Sequence, residues 1–124
     1  LELLLGHRSV RAYTAAPLPA GTLEALVAAA QSAATSSNLQ TWSVVAVEEP
    51  ERKARLAELA GNQAQIRAAP LFLVWLADLS RLARVADARA LPHAGLDYTE
   101  MLLVAVIDAA LAAQNAAVAA EALG

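Results

Sequence analysis

No cysteine occurs in the 124 residues, which excludes disulfides and thiolate chemistry; any redox work must rest on a bound group. Aromatic residues make up only 4%, leaving the core without the large side chains that normally fill one. Positive charge is not in excess: the net charge is -3, so nothing electrostatic points to nucleic acid or an anionic membrane surface. No second His or acid stands at ligand spacing from His93, in the break Leu91-Pro92-His93-Ala94-Gly95, so His93 reads as a loop residue rather than a metal ligand. No internal repeat or low-complexity linker appears. Leu1 to Leu5 does not read as a signal peptide, because the apolar run is too short and His7, Arg8 and Arg11 follow it instead of preceding it.

What is present in quantity is apolar surface, 58% of residues and rich in Ala. The length fits one domain, and a domain this small cannot bury so much internally, so an obligate oligomer is one solution. The stretch that organises the rest is Leu96 to Gly124. It has no Gly or Pro between Met101 and Leu123, and Ala mixed with Leu, Val and Ile makes it helical. Asp97, Asp108 and Asn115 share one stripe of this helix, and Gln114 with Glu121 forms another. A helix this apolar is either a membrane span or a central core helix. Asp108 argues against the span, because an acid near its centre costs about 2.5–3.5 kcal/mol. The helix is therefore expected to be wrapped by helices, by a sheet or by a second subunit. With no initial Met, the chain is expected to be a portion of a longer protein.

Along the chain, Leu1 to Leu5 reads as the tail of a helix stopped at Gly6. His7-Arg8-Ser9-Val10-Arg11 follows, the densest polar patch of the first half. If it is helical or turn-like, Arg8 and Arg11 can face one anion, and their planar forks suit phosphate; taken alone it is equally a solvated basic turn. Tyr13 to Gly21, with Pro17 and Pro19, is a connector, and Thr22 is expected to cap a helix through Ala34 with Leu23, Leu26, Val27 and Ala30 inward. Thr35-Ser36-Ser37-Asn38-Leu39-Gln40 is a loop rich in hydrogen-bonding side chains. Trp42 to Val47 reads as a strand able to be buried on both faces. Pro50 opens a helix over Glu51 to Ala60 with Arg52, Lys53, Arg55 and Glu58 outward; Gly61-Asn62-Gln63 ends it, and Ala64 to Ala69 is a short helical segment. Leu71 to Ala77 is a second strand ended by Asp78, and Ser80 to Arg89 is a short Arg-rich helix. The two strands could be parallel neighbours or could leave room for later strands between them. Two strands make a thin sheet, so part of the fold is expected from elsewhere.

His7 to Arg11, Thr35 to Gln40 before Trp42, Gly61-Asn62-Gln63, and Asp108 through Gln114-Asn115 to Ala119-Ala120-Glu121 occur in one order. In that arrangement the chain resembles the oxygen-insensitive nitroreductases, most closely the NADPH-preferring branch with the luminous-bacterial flavin reductase. The resemblance covers essentially all 124 residues but only the N-terminal half of such an enzyme. It implies a partial α+β, three-layer nitroreductase-like fold: helices around a small sheet, with the long apolar helix at a homodimer interface that holds FMN.

By resemblance, His7, Arg8, Ser9 and Arg11 hold the FMN phosphate and ribityl chain, with backbone around Val10 close by. Thr35, Ser37 and Gln40 reach the flavin from the partner subunit, and Gln63 meets the polar edge of the isoalloxazine. Asn38 is in the same loop, where family members vary, and is assigned no role. The implied activity is that of a cytoplasmic oxidoreductase. NADPH or NADH gives a hydride and leaves, and a nitroaromatic, quinone or free flavin is then reduced by two electrons in ping-pong fashion. No catalytic side chain and no metal is implied. Two alternatives stay open from the residues themselves: a non-catalytic helical dimerisation module, or an inactive fragment of such an enzyme.

Overall fold

Eight segments of regular backbone follow from the hydrophobic pattern. In the computed structural model, which describes residues 1–14 and 16–124, they are α1 (Glu2–Gly6), α2 (Thr22–Gln31), β1 (Trp42–Val47), α3 (Pro50–Leu59), α4 (Ala64–Ala68), β2 (Phe72–Ala77), α5 (Ser80–Ala88) and α6 (Thr99–Leu123). Two short 3-10 turns, Ser36–Asn38 and Ala94–Asp97, precede β1 and α6. Ala15, in the expected Tyr13 to Gly21 connector, lies outside the described residues.

The core forms where α6 lies against α2 and one face of the sheet. Leu26 and Ala30 of α2, Trp42 of β1, and Ala109, Ala112 and Ala116 of α6 are buried together. Val44, Leu73 and Trp75 pack on them from the sheet. The small Ala side chains let the helices approach closely, which compensates for the scarcity of bulky residues. Trp42 and Trp75, diagonal neighbours across the strand pair, add aromatic volume with ring centroids 5.5 Å apart and planes tilted by 50°.

One face of α6 is thus covered, and the other is not. Leu102, Leu103, Val106, Ile107 and Leu111 are exposed by 41–59%. By length and hydropathy this 25-residue helix could cross a bilayer, yet its tenth residue is the fully buried Asp108, engaged with the loop before β1. Asp97 belongs to the 3-10 turn that precedes α6, so the acidic stripe expected along the helix keeps only Asp108 and Asn115. Asn115 donates its side-chain N–H to the Ala29 carbonyl at 3.2 Å, near the end of α2.

Four further expectations are corrected. The strands are antiparallel and directly paired, in continuous register from Trp42 opposite Ala77 to Val47 opposite Phe72. The excursion between them reverses at Gly61 and Asn62, both left-handed (φ 79 and 63), so the chain re-enters the sheet at the end it left. Lys53 is buried: its ammonium donates to the Ala69 carbonyl at 2.6 Å, tying α3 to the end of α4, where the helix dipole favours a cation. Thr22 begins α2 but does not cap it. Gly21 holds the cap position in a left-handed conformation (φ 84), the Thr22 hydroxyl donates to the Pro19 carbonyl, and the helix ends at Gln31 instead of Ala34. The outer sheet face is only partly covered, Val45 being 46% exposed and Leu76 42%, so burial on both faces is not reached within the described residues.

Candidate functional site

Two polar segments are fixed at different stations along α6. His7 leaves α1 with extended backbone (φ -52, ψ 134), and its Nδ1 lies 2.6 Å from Glu121 Oε1 near the end of α6. His7 to Arg11 thus has no helical or turn structure, unlike the arrangement that would set both guanidiniums on one anion. All five residues are exposed. Among the described residues, neither Arg8 nor Arg11 has an ion-pair partner, so both guanidiniums are open to an anion in solution.

The second segment, Thr35 to Gln40, is anchored thirteen residues earlier on α6, a helical rise of roughly 20 Å. Ser36 N–H donates to Asp108 Oδ1 at 3.1 Å, and the Thr41 N–H and hydroxyl donate to Oδ2 at 3.0 and 2.9 Å. Between these anchors Ser37, Asn38 and Gln40 are left-handed (φ 51, 55 and 51). For residues with side chains this costs on the order of 1–2 kcal/mol each. The Gln40 side-chain N–H donates to Asn38 Oδ1 at 3.1 Å, and Arg81 of α5 donates to the Gln40 carbonyl. Thr35 Oγ1 is covered yet has no hydrogen-bond partner among the described residues.

Gln63 holds the N-cap position of α4 without a side-chain cap and is exposed, its Oε1 accepting from the Gln65 amide at 2.5 Å. A mostly apolar cleft of about 540 Å³ brings the neighbouring Gln65, the connector residues Leu18 and Pro19, and Ala120 and Leu123 of α6 together. Gln65 and His7 thus lie toward the C-terminal end of α6, while the Thr35 to Gln40 turn is tied to Asp108, thirteen residues earlier. Within one copy, His7 and the turn are thus tied to different stations of α6.

Sequence reasoning missed what holds the turn. In the sequence Asp108 stands out as an acid in an apolar helix, and that isolation is the available signal; Arg81 offers none. Arg81 is set in turn by Asp78, which receives the Ser80 and Arg81 N–H groups at the start of α5. Hydrogen bonds from the Ser43 hydroxyl, at 2.5 Å, and the Ser80 hydroxyl hold the Asp78 carboxyl at about 2, below its ordinary 3.8. A carboxyl lowered on folding stabilises the fold above its unfolded value, and that contribution disappears as the pH falls through the folded one. Urea midpoints should therefore drop between about pH 4 and about pH 2, and D78N should flatten that limb. Equal slopes in both proteins would remove Asp78 as the source.

His93 pairs with Asp87 at 2.9 Å, in keeping with a loop role, and no group of three or more potential metal ligands occurs among the described residues.

Comparison with known proteins places this arrangement. Residues 4–124 match the nitroreductase family. The chain is 44% identical to the FMN reductase (NADPH) of Bacillus subtilis over 126 aligned positions, covering 100% of this chain and 50% of that protein. It is 39% identical to the oxygen-insensitive NADPH nitroreductase of Salmonella typhimurium, again over 100% of this chain and 50% of the relative. The NADPH:FMN oxidoreductase of Vibrio harveyi, solved in complex with NAD+, superposes with a TM-score of 0.90 at 37% identity, over 99% of this chain and 51% of that one. The chain spans about half the length of the relatives it matches. The antiparallel strand pair, the long Ala-rich helix and the two polar segments fixed along it are all inside the matched region, and the chain belongs to the nitroreductase family.

Proposed function

We propose that this chain forms part of a cytoplasmic, homodimeric, FMN-dependent NAD(P)H oxidoreductase that reduces nitroaromatics, quinones or free flavin. The observation that carries the reading is the spacing on α6: the basic patch and the hydroxyl-rich turn are held apart in one copy, on a helix whose other face is bare and apolar. A twofold contact through that face allows the patch of one copy to meet the turn of the other. The names of the relatives, FMN reductase (NADPH) and oxygen-insensitive NADPH nitroreductase, support the same chemistry.

The residues fit the group. A phosphate monoester carries nearly two negative charges, and the open guanidiniums of Arg8 and Arg11 with the Ser9 hydroxyl answer it bidentately. His7, oriented by Glu121, and the backbone at Val10 border the same anion. The covered, unpartnered Thr35 hydroxyl, with Ser37 and Gln40, offers hydrogen bonds from the second subunit, and the exposed Gln63 amide suits the polar ring edge. FMN, when bound, supplies the two-electron hydride chemistry, so the protein needs no nucleophile or metal of its own. The protein's part is to fix the ring plane, exclude water from it and leave one face open, where nicotinamide and acceptor take turns. We read the chain as a single nitroreductase-like domain that spans about half the length of its relatives, in keeping with a sheet of only two strands.

Titration of the protein with FMN, followed by the flavin visible bands and by reduction with NADPH under anaerobic conditions, tests this. A yellow complex bleached by NADPH is expected. A colourless dimer that takes up no FMN would instead support a dimerisation module.

A further inference from the structure

The turn from Thr35 to Gln40 poses a physical problem that its own sequence does not solve. Three of its residues with side chains are left-handed, and it contains no Gly to relieve them. Such a turn persists only when its surroundings over-determine it. The structure shows what does so. Asp108 has no exposed surface, and all three of its partners are donors, so both oxygens act as acceptors. Oδ1 takes the N–H of Ser36 at the entry to the turn; Oδ2 takes the N–H and hydroxyl of the fully buried Thr41 at its exit. One carboxyl therefore staples both ends, and Arg81 secures the Gln40 carbonyl from the other side. An amide at this position can supply only one accepting oxygen, so its NH2 would confront at least one N–H donor.

Asp108 is also adjacent in sequence to Ile107 on the bare face of α6. A single turn of helix thus faces the expected interface on one side and the strained turn on the other.

We propose that Asp108 is a positioning residue: by holding Ser36 and Thr41, it fixes Thr35, Ser37 and Gln40 in the arrangement that meets the flavin ring, without touching flavin or substrate itself. This rests on the FMN reading above. Asp108 acts through the turn, not through the fold as a whole, so its loss registers in the bound flavin while the core remains intact.

The test compares the wild type with D108N and T41V by amide hydrogen exchange, FMN titration and the visible flavin spectrum. In D108N the Ser36 and Thr41 amides should exchange about tenfold or more faster, because a hydrogen bond to a carboxylate is lost, while the buried Ala105, Ala109 and Ala112 amides keep their protection. FMN affinity should fall by about tenfold or more, with altered visible bands. T41V, which lacks only the hydroxyl, should show smaller changes in the same direction, and it serves for all three measurements if D108N does not fold. Unchanged turn exchange overturns the proposal. So does faster turn exchange with unaltered FMN affinity and bands, which would leave Asp108 a purely structural role. If the wild type itself takes up no FMN, the FMN reading fails separately. The exchange data then still decide the staple: selective exposure of Ser36 and Thr41 supports it, and uniform behaviour refutes it.

Discussion

R8A/R11A is expected to lose FMN retention, with affinity reduced by about a hundredfold or more, while the fold and its melting temperature are unchanged. Each guanidinium can make two charge-assisted hydrogen bonds to phosphate, and that geometry is not available to a point charge. R8K/R11K should therefore recover only part of the affinity. The fold should not notice either change, because both side chains are exposed and neither joins an ion pair among the described residues. Calorimetric titration with FMN measures the loss, and riboflavin, which lacks the phosphate, serves as the control. Riboflavin binding should be nearly the same in wild type and variant. If the double variant keeps wild-type affinity for FMN, the phosphate is held elsewhere.

The second large effect concerns assembly. Ile107 is 57% exposed and Leu103 59% exposed on the uncovered face of α6, so a charge there costs an isolated copy little. In an isologous contact the same substitution enters twice, once from each copy. I107E is expected to convert a dimer to monomers, because burying such a side chain stabilises by about 1.5–3 kcal/mol per copy and the introduced charges repel. Sedimentation measures the change in mass. FMN binding should fall with it if, as proposed above, the basic patch of one copy meets the turn of the other; within one copy His7 and Thr41 are tied to α6 at Glu121 and Asp108, thirteen residues apart. A dimer that survives I107E would place the interface on another surface, such as the exposed Leu3, Leu4 and Leu5 of α1.

The α6 helix was legible in the sequence because a run without Gly or Pro leaves one conformation available, and β1 was legible from its β-branched residues. The nitroreductase family was legible from the order of four short motifs, none of which is informative alone. What was not legible depends on distant partners. Lys53 looks like any outward charge on α3 until the Ala69 carbonyl is seen to receive it, sixteen residues on. Strand direction depended on the reversal at Gly61 and Asn62, which a hydrophobic pattern does not encode. In the candidate site, a phosphate-compatible patch and polar loops could be read directly, whereas their assignment to a flavin came from the family resemblance. The attachment of the hydroxyl-rich turn to Asp108 spans 67 residues from Thr41, and its one local trace is an acid isolated in an apolar helix.

The contact between Trp42 and Trp75 has a practical consequence. They are the only two indoles in the chain and lie against each other, so intrinsic emission originates from one locality. Trp42 is joined through Thr41 to the hydroxyl-rich turn, and its ring is packed into the centre of the molecule. The protein thus carries its own optical gauge at the junction of its core and the hydroxyl-rich turn, with no dye or engineered label required.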